Sequence, residues 1–233
     1  MKFNYVHEEN GLKYAFITEE NYITEINKLI DEVYESIENK IIFQKDDEKE
    51  LLKAIRGEGA VLVGIYLDDE LVGYRYANMV KYEESYANLI DTIEIPKDDI
   101  IIHQSVMVKE KARGRDAQNV ARKVINNLLE KKGYYQSMST VSPENIPSLR
   151  NVLKLGFNLV ALRLMYKTEE HPEGKLRYIW YKNNKSPLKV GEESLKIEHT
   201  DYEKVESALK SGYVGKELIE GETNYIVFRK LTN

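Results

Sequence analysis

The sequence predicts a mixed α/β layer fold built on one central sheet, and three observations predict it. Short β-branched runs alternate with stretches whose apolar residues recur every three or four positions. Turn and stop residues such as Asp68-Asp69, Gly133 and Gly156 separate these runs. Of the 233 residues, 42% are hydrophobic and 31% charged, enough for a sizeable core under a solvated surface.

The elements follow in order. Residues 14–18 read as a short strand. Ile23, Ile26, Ile30 and Val33 then mark a helix over 22–37, and a second helix covers 46–55 before the stop at Gly57. Residues 60–67 and 71–80 form a hairpin around Asp68-Asp69-Glu70. The tyrosine-bearing stretch 81–99, broken by Pro96, is expected to lack regular structure. Residues 100–108 are β-branched and strand-like, and a charged loop over 109–116 leads into a helix marked by Val120, Val124, Ile125 and Leu129. Gly133 caps that helix. A strand over 134–141 precedes a helix that starts at Asn145, takes Pro147 in its first turn and ends at Gly156. Strands over 157–167 and 176–182 complete the unit. A linker over 183–193 then leads to a small strand–helix–strand tail over 195–199, 202–210 and 224–229.

Composition bounds function. Cysteine is absent, which excludes disulfides, cysteine-based metal sites and a thiol nucleophile, and makes the cytoplasm the expected compartment. The N-terminal MKFNYVHEENG lacks the apolar core of a signal peptide, and the longest apolar uncharged run, 59–67, falls far short of the ~20 residues of a membrane helix. No membrane association is therefore expected. Thirty-four basic against thirty-nine acidic residues give a net charge of −5 without a basic stripe, so no nucleic acid is expected as partner. HExxH, Walker, G-x-S-x-G and DxDxDG patterns are missing, and no metal is expected.

The most informative stretch is 106–121, a strand running through Arg113-Gly114-Arg115-Asp116 into an amphipathic helix. A helix start presents unpaired N–H groups and a positive dipole end, a natural seat for phosphate, to which Arg113 and Arg115 add cationic donors. An ordinary charged strand–helix loop reads the same way.

At Val108-Lys109-Glu110-Lys111-Ala112-Arg113-Gly114 the sequence resembles the acyl-CoA-binding motif of GNAT-type N-acetyltransferases. Asn145, Ser148 and Leu155-Gly156-Phe157 resemble that family's later motif, and residues 142–151 resemble those of an uncharacterised bacterial subgroup. The resemblance covers roughly 12–182 and implies a central, mostly antiparallel sheet flanked by helices, with 183–233 as an appendage packed on the main domain or on a second copy in a homodimer.

The resemblance also implies a mechanism. The backbone of Val106 and Val108 would pair with the pantetheine arm of acetyl-CoA. Amides across Arg113, Gly114, Arg115, Asp116, Ala117 and Gln118 would hold the pyrophosphate, and Asn145 and Ser148 would contact the cofactor from the next helix. A small-molecule or peptide amine would attack the thioester directly, with a backbone N–H at Met107 or Val108 stabilising the oxyanion. The alternative implied by the same resemblance is a non-catalytic member that senses CoA or serves a structural role.

Two positions depart from the family pattern Arg/Gln-x-x-Gly-x-Gly/Ala. Counted from Arg113, Asp116 stands at the glycine and Gln118 at the Gly/Ala position, where the subgroup often carries Gln. The Asp116 carboxylate is expected to cap the helix and compete with phosphate, although aspartate tolerates left-handed backbone. Val152 stands where many members carry a tyrosine acid for the leaving thiolate, a part that Tyr166 could take. A base is needed for an ammonium of pKa ~10.4. His103 is the candidate, its other reading being a satisfied, partly buried histidine; Glu94 is a poorer one, and His7, His171 and His199 lie in unrelated segments.

Overall fold

The computed structural model describes residues 5–43 and 45–232. The chain divides into two compact units, Met1–Val80 with Ile101–Tyr134, and Lys81–Ile100 with Tyr135–Asn233.

In the first unit the sheet runs β1(His7–Glu9), β2(Leu12–Phe16), β3(Ala60–Leu67), β4(Glu70–Val80), β5(Ile100–Val108) in spatial order. The β1–β2, β2–β3 and β3–β4 pairs are antiparallel. α1(Ile23–Glu35) and α2(Glu48–Arg56) pack Ile26, Leu29, Ile30, Val33, Leu51 and Ile55 on one face. α3(Ala117–Glu130) covers the other with Val120, Ala121, Ile125 and Leu129. Cover on both faces explains why β3 reads as an almost unbroken apolar run instead of alternating. The hairpin turn is Asp68-Asp69 alone, both at positive φ (49° and 64°), as a two-residue turn between twisted strands requires.

α2 begins two residues later than its periodicity suggests. Asp47 Oδ1 accepts from Lys49 N at 2.8 Å and sets the start, which leaves Asp46 outside the helix. β1 is missing from the sequence reading because His7-Glu8-Glu9 is wholly polar and only three residues long.

Between the sheet and α3 lie two buried guanidinium groups, Arg75 (2% exposed) and Arg122 (5%). Arg75 Nε has no hydrogen-bond partner among the described residues, and burial together with the like charge of Arg122 pushes its pKa far down. A buried charge so placed opposes folding. Arg75→Met keeps the stem and removes the charge, and it is expected to stabilise the protein by about 2 kcal/mol in thermal unfolding. A lower midpoint would show instead that an anion offsets the charge.

In the second unit the spatial order is β6(Gln136–Val141), β8(Lys175–Asn183), β7(Asn158–Met165), β10(Tyr213–Ile219), β11(Tyr225–Leu231), β9(Val190–Glu198), with every neighbouring pair antiparallel. α4(Ile146–Lys154) and α5(Tyr202–Lys210) pack Leu149, Val152, Val205 and Leu209 against Phe157, Tyr178, Trp180 and Phe228.

The residues expected as an appendage after Lys182 are strands of this same sheet. β10, absent from the sequence reading, makes the join by pairing Gly215 with Leu159 on β7. Glycine is required there: a Cβ on Gly215 would lie 2.9 Å from the Leu159 side chain. The connection after β4 carries only two 3-10 turns, Tyr82–Glu84 and Tyr86–Leu89, and is tied down by Thr92 Oγ1 donating to Val160 O (2.6 Å) and Arg163 bonding Asp91 (2.8 Å). No helix among the described residues is long and apolar enough to cross a membrane.

Candidate functional site

β5 does not alternate evenly. Ile101 packs against the α3 face, and His103 bonds Asn126 on α3. Val106 and Val108 also pack on the α3 face, whereas Ser105 bonds Asp46 and Met107 packs with α1 and α2. Strict alternation would place Val106 and Val108 opposite Ile101. One residue is therefore extra between His103 and Val106, the signature of a β-bulge, a device that re-aims side chains.

The backbone after the bulge has a defined polarity. Lys109 N donates to Val72 O on β4 at 2.8 Å, and Met107 O lies 2.5 Å from the point where a Cβ on Gly73 would stand. The N–H and C=O of one extended residue leave from the same edge of a strand. Met107 thus turns both groups to β4. Val108 turns its groups the other way, and its carbonyl accepts from Arg113 Nε at 3.2 Å.

The loop after β5 is pinned at several points. Arg113 also donates to Ser36 Oγ at the end of α1 (3.1 Å). Arg115 O accepts from Asn10 Nδ2 (3.0 Å), and Lys109 reaches Glu32 (2.8 Å). Gly114 has φ 77° and Asp116 φ 59°, so aspartate occupies the left-handed conformation expected of glycine.

The Asp116 carboxylate does not cap α3. Its Oδ1 accepts from the Asn119 side chain at 2.7 Å, while its backbone carbonyl takes the N–H groups of Asn119 and Val120. Among the described residues none accepts from the N–H of Gly114, Arg115 or Ala117. Three backbone donors, two exposed arginines and a helix start therefore converge on one short stretch, with one carboxylate beside them.

His103 is 1% exposed, and its Nε2 lies 3.0 Å from Asn126 Oδ1. It is enclosed between β5 and α3, more deeply buried than the partly buried, satisfied histidine expected, since its Nδ1 meets no hydrogen-bond acceptor or donor among the described residues, and it offers no open face to a substrate amine. Asn145 and Ser148 lie in the second unit. There Asn145 Oδ1 accepts from Ser148 N at 3.1 Å and caps α4, so both groups carry a structural bond. Val152 is 2% exposed core. Tyr166, at φ 58°, is held by bonds from its hydroxyl to Thr140 Oγ1 (2.7 Å) and Tyr86 (3.2 Å). Glu94 is exposed. His7 pairs with Glu9, and His199 Nδ1 contacts Asn224 O.

One group has no signal in the sequence. The Asp46 carboxylate is drawn inward, and its Oδ2 accepts from both Tyr74 on β4 and Ser105 on β5. Burial raises its pKa, and the two hydroxyl bonds only partly oppose this. Asp46 stands in the run Lys45-Asp46-Asp47-Glu48-Lys49-Glu50, where nothing separates it from its solvated neighbours. Among the described residues no cluster of three or more His, Asp or Glu could hold a metal ion.

No protein-family model and no curated protein matches the sequence. Solved structures do match. An N-acetyltransferase from Staphylococcus aureus Mu50 superposes with TM-score 0.57 at 11% identity, over 75% of this chain and 99% of that one. NAA60 of Arabidopsis thaliana in complex with acetyl-CoA gives TM-score 0.56 at 15% identity, over 75% and 99%. The ribosomal-protein-S18-alanine N-acetyltransferase from Escherichia coli gives 0.54 at 12%, over 74% and 94%. At such identities the likeness is one of fold: the chain has the GNAT-type acyl-CoA N-acyltransferase fold.

Proposed function

We propose that this protein is an N-acyltransferase that moves an acetyl or related acyl group from acyl-CoA to an amine by direct attack. The observation that carries the reading is the stretch from Arg113 to Gln118. A left-handed turn there leaves the N–H groups of Gly114, Arg115 and Ala117 without acceptors among the described residues at the start of α3, beside two exposed arginines. This is a seat for pyrophosphate. The shared fold supports the same reading, since NAA60 of Arabidopsis thaliana is in complex with acetyl-CoA.

The chain's own residues divide the work. Val106 and Val108 offer the peptide edge that pairs with the pantetheine amides. Their N–H groups, on the edge turned away from β4, are also the donors for the oxyanion, in place of Met107, whose peptide groups go to β4. The amine nitrogen forms its bond to the thioester carbon, the C–S bond breaks, and the sulfur leaves with the electron pair. A thiol pKa of ~8.5 makes that departure feasible near neutral pH with valine at 152. A chain without cysteine forms no acyl-cysteine, which fits direct transfer and a reducing compartment such as the cytoplasm.

Thermal unfolding tests the reading. Acetyl-CoA at about 100 times its Kd is expected to add ~2.7 kcal/mol, a rise of roughly 5–10 °C for a chain of this length. No rise at millimolar acetyl-CoA, restored by Asp116→Gly, would sink the enzyme and leave the non-catalytic alternative.

A further inference from the structure

We propose that Asp46 is the acceptor-side group of this protein, binding the ammonium of a primary amine and taking its proton as the nitrogen attacks. The proposal rests on the acyltransferase reading and adds to it the residue that receives the second substrate.

Position is the first argument. Ser105, which bonds the carboxylate, is one residue before Val106, or ~3.3 Å along the strand. An acyl group held by the Val106 N–H is thus within reach of an amine bound at Asp46. His103, before the bulge, faces the opposite way and is closed off by Asn126.

Charge is the second argument. Both hydroxyls bond Oδ2, and Oδ1 has no partner among the described residues. The groups that bond Asp46 are neutral hydroxyls, and no neighbouring charge contributes to its raised pKa. Tyr74 presents a hydroxyl whose own pKa is raised by burial and by Asp46, so it stays a donor. From β5 comes Ser105. On Asp46's own segment, Lys45 pairs with Asp31 at 2.7 Å and Asp47 caps α2. A half-buried carboxylate held by two hydroxyls and no cation is disfavoured as an anion, and such groups are characteristic of functional sites. A primary ammonium supplies the missing charge.

The proton count closes. An ammonium gives one proton to Asp46, the resulting amine forms the N–C bond, and the sulfur leaves as thiolate. The proton that the new amide nitrogen sheds goes to the thiolate, and the one on Asp46 returns to water.

Asp46→Asn, nearly isosteric, separates function from folding. The folded pKa of Asp46 lies above its unfolded value, so the stability of the wild type falls as pH rises through it. The variant is therefore expected to melt higher at neutral pH, with the difference vanishing below about pH 4. It is also expected to keep its acetyl-CoA stabilisation and to release CoA with a panel of primary amines about 100-fold more slowly than wild type.

A second measurement needs no acyl transfer. The Asp46 carboxyl-carbon NMR signal is expected to move with n-butylammonium chloride and to stay with n-butanol. An unmoved signal at millimolar n-butylammonium, or turnover in Asp46→Asn with wild-type rate and pH profile, would overturn the proposal. A wild type that acetyl-CoA does not stabilise defeats the acyltransferase reading instead, and the NMR titration still decides whether Asp46 receives an ammonium.

Discussion

Gly73→Ala is expected to destabilise the protein by ~3 kcal/mol, the upper range for overpacking, and to abolish acetyl-CoA stabilisation. The new Cβ would stand 2.5 Å from Met107 O and 3.3 Å from Val108 Cα, both backbone atoms of β5, and 3.2 Å from Ile65 Cδ1. A flexible side chain could swing away from such a contact, but a strand cannot. β5 has to move off β4 by a good part of an ångström, which breaks the Lys109–Val72 bond and shifts the Val106 and Val108 amides on which the cofactor reading depends. Gly114→Ala is the matching control. Nothing lies within 4 Å of its Cβ, so only the left-handed backbone at φ 77° opposes the change, by about 1–2 kcal/mol. Urea unfolding with and without acetyl-CoA separates the two. Equal losses in both variants would mean that β5 yields more easily than its contacts imply.

Asp116→Gly is expected to tighten acetyl-CoA binding tenfold or more. A carboxylate about 4 Å from a phosphate charge is disfavoured by ~1 kcal/mol in water and ~4 kcal/mol at an effective dielectric of 20, and a half-exposed loop lies between these limits. Glycine takes φ 59° without strain, and the loss of the Asn119 contact is a small, local cost. Asp116→Asn distinguishes charge from conformation, because asparagine also tolerates the left-handed region and can still bond Asn119. It should reproduce most of the gain in a calorimetric titration. An Asn variant that binds no tighter would assign the aspartate a conformational part instead.

Much of the architecture is legible along the chain because it is governed by local rules. β3 and α5 have the bounds that periodicity suggests, Asn145 caps α4 through Ser148, and the left-handed turn at Asp116 is permitted by its short polar side chain. β10 is less legible. Its Tyr-Val-Gly-Lys-Glu-Leu start carries no alternation; it is a strand through its pairing with β11, and Gly215 lets Leu159 of β7 approach.

The candidate site divides along the same line. The strand–loop–helix from Val106 to Gln118 is determined by sequence alone, since strand propensity, a glycine and a helix start are properties of neighbours. Three other matters are decided only by the tertiary structure. The bulge in β5 separates His103, which lies under α3, from the face of Ser105, although the β-branched run Ile-Ile-Ile-His-Gln-Ser-Val-Met-Val reads only as a strand. Pairing with β4 consumes the Met107 peptide edge and leaves that of Val108. Finally, Asp46, one of several acidic residues in a charged run, is drawn inward by hydroxyls 28 and 59 positions away. Burial and hydrogen-bond direction depend on residues far apart in the chain, and no local pattern encodes them.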